Sequence, residues 1–141
     1  MGDVWLCSGQ SNMEFRMEES PHAKEDVAKA SNPNIRLFFV ERKMSYAPLD
    51  NYTAGTWKNC SPETVAKFTA VGYYFGKYVQ EEIGVPIGLI DCAWGGTDIQ
   101  TWTSWGVMSK DEKYARYAGK SKKQIDRMRE QEKENYFESI K

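Results

Sequence analysis

Apolar positions along this chain fall into short runs separated by polar turns, and the period changes from one run to the next. Val4 to Ser8 is a compact β-prone run that stops at Gly9, and it predicts a first strand. Pro21 to Ala30 reads as a short helix, with Ser20 as its cap and Pro21 at the first helical position. Asn32-Pro33-Asn34 breaks it, and Ile35 to Val40, rich in branched and aromatic side chains, predicts a second strand. Glu41 to Asn59 carries no period, apart from an extended piece at Thr56-Trp57-Lys58. Ser61-Pro62 then opens the strongest helical pattern, running to Ile83. Its apolar stripe of Val65, Phe68, Val71, Phe75, Val79 and Ile83, together with Tyr78, recurs at steps of three and four, as a helix buried on one face requires. Gly84 closes it as a C′ residue. Pro86 to Cys92 predicts a third strand, followed by the turn Trp94-Gly95-Gly96-Thr97. Beyond Asp98 the chain turns polar and helical, and Lys120 to Ser139 reads as a charge-laced solvated helix or arm.

Strand–helix–strand–helix–strand order implies an α/β fold with a parallel sheet covered by helices. Right-handed crossovers bring the C-terminal ends of the strands to one edge, where open α/β sheets bind ligands. Ser11 follows the first strand and Gly95-Gly96-Thr97 follows the third, so two unrelated features are expected on one rim. A strand that ends in glycine can present the hydroxyl of Ser11 clear of the sheet, as a nucleophile requires. A serine there serves equally well as an ordinary helix cap. Glycine-bearing turns suit oxyanion stabilisation, since their N–H groups approach a substrate without a side chain in the way. They suit a phosphate cradle too, but neither the phosphate-loop spacing nor a dinucleotide fingerprint is present.

Composition narrows the partners. With 141 residues, 40% hydrophobic and 28% charged, the chain is one domain or part of one, and it can bury about 70% of its unfolded surface. A net charge of −1 offers no field for nucleic acid or an anionic membrane, and no apolar run reaches the roughly 20 residues of a membrane span. The chain enters a strand almost at once, without a signal peptide, which suggests a segment of a larger protein. Cys7, Cys60 and Cys92 lack Cys-x-x-Cys spacing, and the single histidine is His22; no metal cluster and no cofactor are expected. Cys7 and Cys92, on core strands, are expected as buried free thiols.

Gly2-Asp3-Val4-Trp5-Leu6-Cys7-Ser8-Gly9-Gln10-Ser11-Asn12-Met13-Glu14 resembles the nucleophile block of the sialate O-acetylesterase family of SGNH (GDSL-like) hydrolases, relatives of the carbohydrate acetylesterases that act on xylan. Phe68 to Phe75 is similar to the helix before that family's glycine block. Val85 to Asp91, with Trp94-Gly95-Gly96-Thr97 and Trp102, is similar to the block itself. The resemblance spans Gly2 to Ser104 and fades over the polar tail. It implies a three-layer α/β/α flavodoxin-like fold, incomplete in this chain, and metal-free removal of O-acetyl groups from sialic acid or xylan-type carbohydrates. By position Ser11 would be the nucleophile, and the N–H groups of Ser11 and Gly96 the oxyanion donors. Gln10 and Asn12 would shape the turn and, with Gly95, Gly96 and Thr97, form the oxyanion and substrate-binding positions.

The family's later asparagine donor and its Asp-x-x-His motif have no counterpart here. His22, eleven positions after Ser11, reads as a surface histidine. The chain is therefore expected to carry the nucleophile half of a site and to be nearly inactive by itself. Residues 1–108 would form the N-terminal part of the hydrolase domain and 109–141 a polar arm toward the remainder. A non-catalytic carbohydrate-binding or structural fragment of the same fold is the alternative. Trp94, Trp102 and Trp105 are expected near the site, whereas Trp5, Trp57 and Tyr73 to Phe75 are expected as core. An exposed sheet edge or core face would admit a homodimer, and the resemblance suggests a periplasmic or extracellular setting.

Overall fold

The computed structural model describes residues 1–43, 55–114, 126–127 and 130–131. The described residues fall into two units, one up to Thr97 and the other from Asp98 onward. The first unit is an α/β layer. Its strands are β1 (Asp3–Gly9), β2 (Asn32–Phe39), β3 (Trp57–Cys60) and β4 (Ile87–Ala93); its helices are α1 (Ser11–Glu14), α2 (Ala23–Ala28), α3 (Pro62–Ala66) and α4 (Ala70–Ile83). In the second unit, a 3₁₀ turn at Ile99–Trp102 precedes α5 (Trp105–Met108). The expected polar helix over Lys120–Ser139 lies outside the described residues except at 126–127 and 130–131.

The sheet order is β1-β4-β2-β3. β4 runs parallel to both β1 and β2, while β3 returns antiparallel along β2, so the sheet is mostly parallel with one reversed edge. β4 alternates fully buried Ile87 and Leu89, then Asp91 and Ala93, with half-buried Gly88, Ile90 and Cys92, the two-residue period of a strand covered more fully on one face. Cys7, Ile35, Leu37, Ile87 and Leu89 join Met17, Val65 and Phe68 in a single core. The opposite face carries Val4 and Leu6, which are 62% and 65% exposed.

The helical pattern from Ser61 to Ile83 is two helices, not one. Ser61 caps α3 with Pro62 at its start, as expected, but the helix ends at Ala66. A stretch of backbone pairing interrupts it: Met17 N–H donates to Phe68 O at 3.0 Å and Ala70 N–H to Phe15 O at 2.8 Å. Those bonds flank the break at residues 67–69 between the two helices. α4 restarts on Thr69, which is fully buried and whose hydroxyl accepts the Gly72 N–H at 3.2 Å, a side-chain N-cap. Gly84, with φ of 68°, terminates α4 as predicted.

The buried face of α4 also differs from the apolar stripe. Val71, Phe75, Tyr78 and Ile83 are 42–62% exposed, and Gly72, Tyr73 and Gly76 face the sheet instead. A Cβ on Gly76 would lie 2.6 Å from Leu89 Cδ1, and one on Gly72 would lie 2.7 Å from Cys7 Sγ. The two glycines let the helix backbone sit closer to the sheet than side chains allow. Trp5 and Trp57, expected as core, are 43% and 47% exposed. Trp5 stacks edge-on against Phe75 at 5.1 Å, and Trp57 packs on Phe38 at 5.3 Å.

Candidate active site

The site is built where β1 and β4 end side by side. Gly9 pairs with Ala93, the last rung of the parallel ladder, and Trp94 N–H donates to Gly9 O at 3.0 Å. Beyond this rung both strands turn. Gly9, with φ of 155°, takes a conformation that few side chains tolerate, and the chain passes directly into α1. Ser11 is the first residue of that one-turn helix, with Glu14 N–H bonded to Gln10 O at 2.9 Å and Phe15 N–H to Ser11 O at 3.0 Å. The opening N–H groups of a helix lack intrahelical partners, and Ser11 and Asn12 are exposed.

The second turn, Trp94 to Thr97, is closed by the Thr97 hydroxyl, which donates to Trp94 O at 2.6 Å. The Gln10 side-chain amide donates to the carbonyl of Thr97, tying the two turns together. A Cβ on Gly95 would stand 3.5 Å from both Cα and Cβ of Ser11, so the glycine turn lies directly against the serine backbone. Gly96 has φ of 74° and no atom within 4 Å of where a Cβ would be. Its N–H has no partner among the described residues. Ser11, Gln10, Gly95, Gly96 and Thr97 are thus brought together, with Asn12 on the following helical position. Trp94 lies in this turn, half-buried. Trp102 and Trp105 belong to the second unit. His22 is the exposed N-cap of α2, and no hydrogen bond joins it to Ser11 among the described residues.

A charged cluster behind the turns was not assigned from the sequence. Glu14 Oε2 accepts the Gly95 N–H, and Glu14 Oε1 pairs with the guanidinium of Arg42. Arg16 lies 4.0 Å from the same carboxylate and donates to Asp91 Oδ2 at 2.5 Å. Asp91 is 5% exposed, and its Oδ1 has no hydrogen-bond partner among the described residues. Burial pushes its carboxyl above the ordinary value, and the bond from Arg16 only partly opposes this. Burial, helped by Asp91, also pushes the Cys7 thiol up to about 11. The available signal was the position of Glu14 three residues after Ser11, one helical turn on. Nothing local tied it to a turn 81 residues away. All three cysteines are free; Cys7 and Cys60 are buried, while Cys92 is only half-buried. No group of three or more His, Cys, Asp or Glu could hold a metal, and no helix is long and apolar enough to cross a membrane, among the described residues.

A family profile described as carbohydrate esterase, sialic acid-specific acetylesterase, matches residues 1–137. The chain belongs to this family. It is 35% identical over 111 residues to the sialate O-acetylesterase of Mus musculus, covering 73% of this chain and 20% of that protein. To the Homo sapiens protein of the same name it is 32% identical, covering 73% and 21%. Among solved structures it is similar to a carbohydrate acetylesterase from Xanthomonas citri, with a TM-score of 0.71 and 39% identity over 74% of this chain and 24% of that one. The chain therefore spans about a fifth of the length of the curated relatives it matches. The shared α/β architecture and the family membership agree with the resemblance carried by the serine and glycine blocks.

Proposed function

We propose that this chain carries the nucleophile half of a serine esterase that removes O-acetyl groups from carbohydrates. The observation that carries the reading is the glycine turn lying against Ser11, with a would-be Gly95 Cβ 3.5 Å from Ser11 Cα and Cβ. An exposed serine against a glycine turn supports the pairing of hydroxyl and backbone N–H donors that acyl transfer requires. Ser11 Oγ attacks the acetyl carbonyl carbon and gives up its proton to a base. The carbonyl π electrons move onto oxygen, where the N–H groups of Ser11 and Gly96 stabilise them. Collapse expels the sugar oxygen, which takes the proton, and leaves acetyl-Ser11. Water then repeats the sequence and releases acetate. Gln10 and Thr97 hold the two turns together, and Gly95 leaves room for Ser11.

Among the described residues no base pairs with the Ser11 hydroxyl. The chain's only histidine, His22, caps a helix and has no bond to Ser11 among the described residues. The family membership and the names of the relatives support an acetylated carbohydrate as substrate. Acetate release from 4-nitrophenyl acetate tests the reading, using the natural reading frame extended past Lys141, its Ser11→Ala variant and the 141-residue chain. The expected result is activity in the extended protein and near-background rates in the short chain. Ser11→Ala should lower the extended protein's activity by about 10³-fold or more. A folded but inactive extended protein would overturn the esterase reading and favour a binding module.

A further inference from the structure

We propose that Glu14 is a positioning residue that sets the oxyanion turn against the nucleophile; this rests on the reading of Ser11 and Gly96 given above. Glu14 lies one helical turn after Ser11 on α1, so its backbone moves with the nucleophile. Its Oε2 accepts the Gly95 N–H from the other turn. One carboxylate thereby couples the two halves of the site across 81 positions of sequence. The contact also sorts the two glycine donors. The Gly95 N–H is taken by Glu14, whereas the Gly96 N–H has no partner among the described residues.

The carboxylate is itself held from behind. Its Oε1 pairs with Arg42, and Arg16 stands 4.0 Å away with its guanidinium anchored on buried Asp91. A carboxylate fixed by two cations keeps its orientation, and a charge-assisted bond to an N–H is stronger than a neutral one. Glycine at position 95 lets the carboxylate approach this closely. A Cβ there would come 2.5 Å from Glu14 Oε2, so a side chain at this position requires the carboxylate end to shift from where it holds the turn. Glu14 touches neither substrate nor reacting atoms in this scheme; it acts through Gly95.

The test has two arms. In the 141-residue chain, the Gly95 amide proton resonance should shift upfield in Glu14→Ala and stay near its original position in Glu14→Gln, whose amide oxygen still accepts the bond. In the extended reading frame, with 4-nitrophenyl acetate, Glu14→Ala should lower kcat about 10- to 100-fold with KM within about threefold, since losing an oxyanion donor outright costs about 10²–10³. Glu14→Gln should recover kcat to within about fivefold of wild type. Glu14→Asp keeps the charge toward Arg42 but withdraws it from Gly95, so it should show the kcat loss even where Glu14→Ala fails to fold. An unmoved Gly95 resonance in Glu14→Ala overturns the inference. So does an unchanged kcat in Glu14→Ala and Glu14→Asp while Ser11→Ala is inactive. Full activity in Ser11→Ala overturns the nucleophile reading itself, and the inference with it.

Discussion

Gly76→Ala tests how closely α4 rests on the sheet, and two opposing terms decide its outcome. In an exposed helix interior, alanine in place of glycine stabilises by about 1 kcal/mol, because glycine loses more backbone entropy on folding. Here the new methyl would meet Leu89 Cδ1 at 2.6 Å, Cδ2 at 2.8 Å and Cγ at 3.0 Å. All three separations are too short for carbon atoms in contact, which prefer about 3.5–4.0 Å. Leu89 has nowhere to go: it is fully buried on the strand between β1 and β2, level with Trp5 and Leu37. Overpacking of this kind costs about 1–3 kcal/mol, and three simultaneous overlaps put this site near the upper end. Subtracting the helical gain leaves a net loss of about 2 kcal/mol, a fall in Tm of roughly 8 °C for a chain of this size. Urea unfolding followed by far-UV circular dichroism measures it directly. Leu89→Ala alone should cost about 2–5 kcal/mol, but in the double variant the two losses should fall short of additivity by more than 1 kcal/mol, because the truncation vacates the volume the methyl needs. A Gly76→Ala chain at least as stable as wild type would refute the close packing and show that helix propensity governs the position.

Asp91→Asn probes the buried carboxyl. Its folded pKa lies above the ordinary 3.8, so the fold favours the protonated form. This contribution is fully present below the unfolded pKa and is lost as pH rises through the raised folded value. Urea midpoints from pH 4 to pH 7 should show wild type losing ground to Asp91→Asn as pH rises; wild type gaining on the variant would contradict the assignment. The cysteines supply a further check. With a pKa of about 11, only roughly a thousandth of Cys7 is thiolate at pH 8, and burial also raises the pKa of Cys60 and Cys92. A thiol–disulfide exchange reagent should therefore label the native chain slowly and all three cysteines promptly after unfolding. Peptide mapping that found native Cys7 labelled at a free-thiol rate would refute its burial.

Much of the layer architecture was legible because it rests on local patterns. The runs at Val4–Ser8, Ile35–Val40 and Pro86–Cys92 became β1, β2 and β4 within a residue or three at each end, since branched and aromatic residues favour the pleated surface. Ser61-Pro62 and Gly84 marked helix ends through capping chemistry confined to one turn. The turn that carries Ser11 was readable for the same reason: a glycine at the strand end and a serine two residues later are neighbours in sequence. Even the shared rim followed from the handedness of parallel crossovers, without knowledge of the strand order.

What the sequence determined by itself is where strands begin, which turns carry glycine, and that Ser11 and Gly95-Gly96 end on one edge. Tertiary structure alone decided the rest, because each remaining feature depends on partners far along the chain. The apolar stripe of α4 found the core only at Val79 and otherwise pointed away from it, because periodicity registers side-chain hydrophobicity. The sheet selected Gly72 and Gly76 for their lack of bulk against Cys7 and Leu89. The break at residues 67–69 is flanked by backbone bonds to Phe15 and Met17, which no helix propensity encodes. Placing β4 directly beside β1 put Gly95 against Ser11 and gave Glu14 its amide to hold. An ion-paired carboxylate one turn past a serine is ordinary in sequence; only the adjacency of two strand ends made it part of a site.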